Sequence, residues 1–370
     1  MLQRPNPTFH KTSAMFKIRT LLHLTLCASV LMLLASCAKP PAATIFYPGD
    51  PQPPRLQFLT SFSGEADFTP TALSTLTGGA DSLHLYRAMG IAFGNDKIYV
   101  ADTSKEAGTV TSFDLKNRRV VQYRGSLQKP VDVFVDAQGV IYIVDSVLNR
   151  IFAVDKNDKP IANYASSAEN FRPTSVFVKD SKVYTTDIGN NLIRVFDKTT
   201  TQEIQTFGQD TALGWPYDIT VDSENRILVT ETGAGRVSIF AEDGSLISQF
   251  GQPGTYAGSF SRPKSLVADR DGRIYVLDVN WQNVQLFNRE GVVRMYFGNP
   301  TTTPEGLHMP SGIAISYDIV PYFQEYAAPG FKIDYILAIS SQGNPAYPYS
   351  KINFYGFGKM ADKDYSSYPD

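Results

Sequence analysis

Cysteine is scarce in this chain: the 370 residues contain two, Cys27 and Cys37, and both lie in its first tenth. The rest of the chain has no thiol to form a disulfide, ligate a metal or act as a nucleophile. The Cys-x-x-Cys-His signature of covalent haem attachment is absent for the same reason. Beyond residue 36 the chain has two histidines, His84 and His308, whereas catalytic metal sites usually draw on several. The sequence therefore predicts no cofactor and no metal.

Other signatures of chemistry are missing too. There is no Gly-x-Ser-x-Gly nucleophile motif, no phosphate-binding loop and no dinucleotide fingerprint. Basic blocks are absent, and beyond residue 36 the chain has 30 basic and 36 acidic side chains, a net charge of about −6. A nucleic-acid partner is therefore not expected.

The first 36 residues have the pattern of an export signal. Lys17 and Arg19 precede the apolar run Leu21–Leu34, which is too short to span a bilayer comfortably. The run ends in Leu-Ala-Ser-Cys, which resembles a bacterial lipobox, so we expect residues 1–36 to be removed and Cys37 to be acylated. Translation starting at Met15 would give a signal of ordinary length. The alternative is a plain signal peptide with an incidental cysteine.

The segment after Cys37 is rich in proline. Residues 37–54 carry Pro40, Pro41, Pro48, Pro51, Pro53 and Pro54, which predicts an extended, semi-rigid linker of roughly 50 Å. Such a linker would hold a folded body away from a membrane. Ala38 replaces the aspartate that commonly marks inner-membrane retention of lipoproteins, which favours the outer membrane, facing either the periplasm or the outside.

A four-strand pattern repeats along the rest of the chain. From Trp215 to Gly251, four β-branched and aromatic runs are separated by Ser-Glu-Asn, Gly-Ala-Gly and Glu-Asp-Gly turns. Similar text begins at residues 88, 130, 173, 263 and 310, so the repeats start 42 to 47 residues apart. Four strands per repeat of this length are typical of a propeller blade. The sequence predicts an all-β, six-bladed β-propeller.

The ring also has a predicted closure. Arg55–Gly64 resembles the last strand of a blade but precedes the first repeat, and the sixth repeat ends without a fourth strand. We therefore expect the N-terminal strand to complete the last blade, so that the propeller occupies residues 55–358 and residues 359–370 form a C-terminal tail.

The repeat motif carries a family resemblance. Pro-x-x-Val-x-Val-Asp-x-x-Gly-x-Ile-Tyr-Val-x-Asp resembles the NHL repeat, and the ring is similar to NHL or TolB-like six-bladed propellers. The lipobox, the proline-rich leader and the late segments Pro321–Ala327 and Asn353–Gly358 resemble a group of exported bacterial NHL-repeat lipoproteins. That resemblance implies a location in the cell envelope. Some members of the group are associated with extracytoplasmic multihaem cytochromes, so the resemblance also implies a possible link to electron-transfer complexes.

Two repeat positions are charged and lie on the same face of each blade. The second strand ends in a carboxylate, and a cation or tryptophan precedes the first strand. With Trp281, these residues make up the predicted binding rim: Arg87, Asp102, Lys129, Asp145, Arg172, Asp187, Trp215, Glu231, Arg262, Asp278 and Trp281. They form either a charged surface that binds a polar ligand or partner, or carboxylates that each accept N–H bonds in their own turn and pair with the neighbouring cation.

The aromatic residues divide into two groups. Most occupy strand positions typical of a core, but Tyr317, Tyr322, Phe323, Tyr326 and Phe331 lie in a long insertion, where function is often located. Trp281 lies in a turn, where it either anchors a ligand or packs against its neighbours.

The sequence as a whole predicts a lipid-anchored envelope scaffold that binds a ligand or a protein partner and is not an enzyme. The alternative is a metal-dependent lyase or lactonase that uses funnel carboxylates, by resemblance to gluconolactonase-type propellers, which hold a metal with Glu, Asn and Asp. Glu231 is the one glutamate at the repeat position.

Overall fold

The computed structural model describes residues 44–68, 83–103, 108–343 and 349–366. The described chain forms six antiparallel sheets, the blades, numbered here from residue 88. Blade one contains β3 (Ala88–Gly94), β4 (Lys97–Asp102), β5 (Thr109–Asp114) and β6 (Arg119–Tyr123); blade two contains β7 (Pro130–Val135), β8 (Ile141–Asp145), β9 (Arg150–Val154) and β10 (Pro160–Tyr164); blade three contains β11 (Pro173–Lys179), β12 (Lys182–Asp187), β13 (Leu192–Asp197) and β14 (Glu203–Phe207).

The second half continues the pattern. Blade four contains β15 (Pro216–Val221), β16 (Ile227–Glu231), β17 (Arg236–Phe240) and β18 (Leu246–Phe250); blade five contains β19 (Pro263–Ala268), β20 (Ile274–Asp278), β21 (Asn283–Phe287) and β22 (Val293–Phe297); blade six contains β23 (Gly312–Ser316), β24 (Phe331–Ser341), β25 (Lys351–Met360), β2 (Leu56–Phe62) and β1 (Ile45–Tyr47). The first strands β3, β7, β11, β15, β19 and β23 contact one another in that order, and β23 contacts β3. The blades therefore form a closed ring, and the predicted six-bladed propeller is confirmed.

The repeat motif explains the first turn of a blade. In blade two, Oδ1 of Asp136 accepts the backbone N–H groups of Gln138 and Val140, both at 2.9 Å. Gly139 follows with φ +80°, a conformation that suits glycine. The aspartate and the glycine of the motif thus build the turn between first and second strands, as Asx turns do.

The predicted closure of the ring is confirmed. Strand β2 pairs antiparallel with β25, with Leu56 opposite Phe357 and Phe62 opposite Ile352. Beyond β2, strand β1 adds a fifth strand to blade six, so the described end of the predicted linker is part of the sheet. The C-terminal tail contacts the segment between β1 and β2, because the Tyr365 hydroxyl donates to the Pro54 carbonyl at 2.7 Å. Cys27, Cys37 and the predicted signal lie outside the described residues.

The core lies between blades. Six apolar clusters each combine residues of two adjacent blades. In the cluster between blades six and one, Phe62 contacts the rings of Phe68, Phe113, Phe323 and Phe354 at centroid distances of 5.0 to 6.4 Å. Large flat side chains fill such inter-sheet spaces efficiently, so each blade is stabilised by its two neighbours.

The insertion in blade six is packed. It contains α2 (Val320–Phe323) and a 3-10 turn (Gln324–Tyr326), while α1 (Glu65–Phe68) precedes blade one. Phe323 is buried and stacks on Phe354 at 4.6 Å. The guanidinium of Arg270 in blade five lies 3.8 Å from the Tyr317 ring centroid. The aromatic cluster, predicted to lie apart from the core, in fact joins blade six to its neighbours. In the described chain, no helix has the length and apolar character needed to cross a membrane.

Candidate functional site

A central channel runs through the ring and is lined by the first strand of every blade. It encloses a cavity of about 340 Å³. The first strands begin at the same face of the disc, because equivalent positions of neighbouring first strands contact each other, as Ser175, Asp218 and Ser265 do. Successive positions of the first strands therefore form rings of side chains at successive depths.

The outermost ring consists of the residue before the start of each repeat, at residues 88, 130, 173, 216, 263 and 310. We call it the mouth ring: Arg87, Lys129, Arg172, Trp215, Arg262 and Met309. All six side chains are exposed, Trp215 at 60% and Met309 at 55%. Among the described residues none of the four cations forms an ion pair, so the predicted pairing of these cations with the rim carboxylates is not observed.

The carboxylates of the predicted rim are directed inward. Asp102, Asp145, Asp187, Glu231 and Asp278 are fully buried. Asp145 accepts N–H bonds from Gln128, Lys129, Val147 and Leu148 at 2.7 to 3.0 Å. These bonds use both carboxylate oxygens. The backbone N–H of Lys129 is one of the donors, and its side chain projects into solvent, so no ion pair forms between Lys129 and Asp145.

The other blades follow the same design with local variation. Asp102 accepts the N–H groups of Tyr86 and Arg87 at 2.8 Å, and burial raises the pKa of this carboxyl group. Asp187 pairs with Arg194 at 2.8 Å, and Glu231 pairs with Arg236 at the same distance. These arginines lie at or near the start of the third strand, a source of counter-charge that the sequence interpretation overlooked.

A β-bulge turns the next residues into the channel. In blades four and five the pairing register shifts between Pro216 and Asp218 and between Pro263 and Ser265. Bulges re-aim side chains, and here Tyr217 and Lys264 line the cavity. The Lys264 ammonium lies 5.1 Å from the centroid of the Tyr217 ring.

One step deeper lies a ring of small and acidic residues. We call it the channel belt: Gly90, Asp132, Ser175, Asp218, Ser265 and Gly312. Asp218 accepts the Ser175 hydroxyl, the Ser265 hydroxyl at 2.7 Å, and the Leu266 N–H at 3.0 Å. Its bonds join blades three, four and five.

Asp132 and the glycines complete the belt. Oδ2 of Asp132 accepts the Val176 N–H of the next blade at 3.0 Å. Gly90 leaves room for this carboxylate, because a Cβ there would lie 2.2 Å from Asp132 Oδ1. A Cβ on Gly312 would lie 2.7 Å from the Met89 carbonyl oxygen. Glycine at these two positions lets the first strands of blades six, one and two approach closely.

Three side chains that line the channel, Asp132, Asp218 and Lys264, have shifted pKa values. Burial raises the pKa of Asp132, and the nearby Asp218 raises it further; burial also raises the pKa of Asp218. Burial lowers the pKa of Lys264 to about 8, and the charge of Arg262 contributes in the same direction. Both carboxylates and the lysine nevertheless keep part of their surface exposed to the channel. Titratable groups with opposed shifts thus converge in one cavity, which is typical of functional sites.

Sequence interpretation missed this inner site. Its residues occupy the two variable positions of the Pro-x-x-Val motif, where Asp132, Ser175, Asp218 and Ser265 interrupt otherwise apolar strands. That recurring polar residue two positions after the proline was the available signal. The two histidines take no part: His84 stacks on Tyr349 at 3.9 Å, and Nε2 of His308 lies 3.2 Å from the Thr301 carbonyl oxygen.

Comparison with known proteins identifies the architecture. No family model matches the sequence, and no curated protein matches it significantly. Among solved structures, a streptogramin B lyase is 15% identical, with a TM-score of 0.53, over 73% of this chain and 93% of the lyase. Virginiamycin B lyase from Staphylococcus aureus is 13% identical, with a TM-score of 0.53, over 82% and 99%. A gluconolactonase from Xanthomonas campestris is 15% identical, with a TM-score of 0.52, over 85% and 98%.

These neighbours contradict the prediction that the chain is not an enzyme, because the solved structures that share its fold include lyases and a lactonase. At 13 to 15% identity the likeness shows the fold alone and transfers no activity to this chain. The chain is a six-bladed β-propeller with the architecture of these enzymes.

Proposed function

We propose that this protein binds a small, negatively charged ligand at the mouth of its central channel. The observation that carries the proposal is the asymmetry of the predicted rim: four cations are exposed around the channel, while the rim carboxylates are buried in bonds to backbone N–H groups. A ligand that reaches the mouth therefore meets hydrogen-bond donors, and the acceptors beside them are already occupied. Arg262 also acts electrostatically on Lys264 and Tyr217, which places its charge at the cavity.

The mouth ring also offers apolar contact. Trp215 and Met309 fill the two positions without a cation, and both adopt left-handed backbone conformations, with φ +55° and +41°. Non-glycine residues in this region are strained, and such strain is concentrated at functional sites. An exposed tryptophan is a common binding anchor. The ligand class that fits is therefore an organic anion with an apolar part, and the cavity of about 340 Å³ suits a small molecule.

The proposed setting is the cell envelope. In this proposal Cys37 is acylated, the propeller is held at the outer membrane, and the bound ligand or an envelope protein partner is recognised there. Metabolic labelling with an alkyne fatty acid tests the anchor. Label should be lost in Cys37→Ser and kept in Cys27→Ser; equal labelling of both variants would contradict the assignment of Cys37.

A second candidate function is favoured by the convergence of Asp132, Asp218 and Lys264 in the channel. In this alternative the protein is a lyase or lactonase whose acid–base groups are these residues. A metal-dependent version needs carboxylates directed at one point. Among the described residues no three or more histidine, cysteine or carboxylate side chains cluster as a metal site would require, and the rim carboxylates are directed into their own turns, so the residues present do not fit such a metal.

The binding proposal is tested with phenylacetate and its neutral amide, titrated calorimetrically into the purified chain at about 20 mM and about 200 mM salt. Phenylacetate should bind, the amide should bind at least about tenfold more weakly, and higher salt should weaken phenylacetate alone. Arg172→Gln combined with Arg262→Gln should reduce phenylacetate affinity about tenfold. The matched control is Lys156→Gln, an exposed cation in the turn after β9 at the opposite face. Equal binding of acid and amide, or no effect of the double variant, would contradict the proposal.

A further inference from the structure

The Lys264 side chain lies in the channel, and its amine has no hydrogen-bond or ion-pair partner among the described residues. Lys264 is the residue of β19 that is left unpaired by the β-bulge, and it lines the central cavity. Lysines in protein interiors are usually paired. Within the described residues, the Lys264 amine makes no hydrogen bond and no ion pair, and it lies over the face of the Tyr217 ring.

The surroundings of Lys264 favour its neutral form. Burial against the low-dielectric walls disfavours the ammonium most, the charge of Arg262 acts in the same direction, and Asp218 and Asp132 favour the ammonium more weakly. With a pKa of about 8, more of the amine is uncharged at pH 7 than in an ordinary lysine. Desolvation next to another cation is a known way to make a lysine nucleophilic.

A proton donor lies in the same cavity. The Ser175 hydroxyl has one proton, which it donates to Asp218, yet it also contacts the carboxyl group of Asp132. Burial raises the pKa of both carboxyl groups, and the charge of Asp218 raises that of Asp132 further, so the pair favours keeping a proton.

We propose that Lys264 binds carbonyl compounds covalently, its amine forming an imine with the aldehyde or ketone group of a small organic anion held at the mouth ring. The amine nitrogen attacks the carbonyl carbon and a C–N bond forms. The nitrogen gives up its two protons, the oxygen takes up two protons, the C–O bond breaks, and water leaves. Amine and carbonyl give imine and water, so no oxidant or reductant is needed. The protonated member of the Asp132–Ser175–Asp218 group is positioned to supply a proton to the departing oxygen. The choice of an anionic carbonyl compound rests on the proposed anion binding.

Borohydride trapping tests this on the unmodified, purified chain. Pyruvate is added at pH 6, 7 and 8, imines are reduced with borohydride, and peptides are analysed by mass spectrometry. Lys264 should carry the reduced adduct at least about tenfold more than Lys129 and Lys156, with labelling that rises from pH 6 to 8. Lys264→Arg keeps the charge and should abolish the adduct. Labelling of Lys264 no greater than that of Lys156 would overturn the proposal.

Two further probes separate this proposal from anion binding itself. Lactate has the charge of pyruvate but no carbonyl group that forms an imine, and propanal has the carbonyl group but no charge. If lactate protects Lys264 from labelling by propanal, both proposals are supported. If lactate and pyruvate bind by calorimetry but neither pyruvate nor propanal is trapped, imine formation is refuted and anion binding stands. If propanal and pyruvate are trapped equally and lactate does not protect, anion recognition is refuted and the reactive lysine stands.

Discussion

Replacing Asp278 with alanine tests whether the rim carboxylates are structural. This side chain is fully buried at the end of β20. Oδ2 accepts the N–H groups of Ser261 at 2.7 Å and Arg262 at 3.0 Å, and Oδ1 accepts those of Asn280 and Trp281, both at 3.0 Å. All four donors lie in turns, where water can bind them once the side chain is removed. We therefore count about 1 kcal/mol of unfolding free energy for each lost hydrogen bond. Asp278→Ala should lower the free energy of unfolding by about 4 kcal/mol.

The loss is large enough to measure thermally. At about 2.1 cal/mol/K per residue, a body of roughly 300 residues has an unfolding entropy near 0.6 kcal/mol/K, so 4 kcal/mol corresponds to a fall in Tm of about 6 °C. Asp145→Ala should cost about the same, because that carboxylate also accepts four N–H bonds. The control in the same blade is Asp271→Ala, whose side chain is 69% exposed and pairs with Arg273 at the surface. Such a pair contributes less than about 1 kcal/mol.

The contrary outcome is equally definite. If Asp278→Ala lowers Tm by less than about 1 °C and instead abolishes binding of phenylacetate, the carboxylate is a ligand contact and the structural argument fails. The same reasoning would then fail for the other four rim carboxylates, whose bonds follow the same plan.

Three further predictions concern closure, protonation and close packing. Phe62→Ala should cost about 3 to 5 kcal/mol in urea unfolding, because Phe62 fills the joint between blades six and one; a loss below about 1 kcal/mol would show that the joint does not depend on this ring. The pKa of Asp132 is raised in the folded state, so its protonated form contributes stability that is complete below the unfolded-state pKa and is lost as pH rises through the folded-state pKa. Asparagine does not ionise and loses nothing over this range. The Tm of Asp132→Asn should therefore rise relative to that of the unmodified chain between about pH 5 and pH 8. A Tm difference that stays constant over this range would contradict the raised pKa. Gly90→Ala should lower the free energy of unfolding by about 2 kcal/mol or more, because its Cβ would lie 2.2 Å from Asp132 Oδ1. Gly49→Ala is the control and should be nearly neutral, because a Cβ there would have no atom within 4 Å. Equal Tm values for the two variants would disprove the close approach at Gly90.

Much of the architecture was predictable from local patterns. Strand length, turn residues and the spacing of the repeats depend on neighbours within a few positions, so the six blades and the closing strand Leu56–Phe62 could be inferred from the chain alone. The carboxylates lie at second-strand ends as the repeat indicated, and they accept N–H bonds in their own turns, which was one of the two alternatives for the rim; that the rim binds a ligand or partner stays a prediction.

The errors arose where side-chain direction mattered. Lys129 was expected to pair with Asp145, but its own N–H binds that carboxylate, which leaves the cation to project into solvent. The aromatic insertion was expected to lie apart from the core, yet Phe323 and Phe331 are buried, because blade six leaves space beside blade one that these rings fill.

The sequence by itself determined the repeat, the number of blades and the strand that closes the ring, because hydrophobic alternation and turn chemistry are local properties of the chain. Only the tertiary structure decided that the exposed charges of the rim are cations and that Asp132, Asp218 and Lys264 share one cavity. These residues are 46 or more positions apart, and β-bulges whose register shifts leave no clear sequence mark turn Tyr217 and Lys264 toward the channel. Ring closure brings them together, and burial in the channel then changes their protonation.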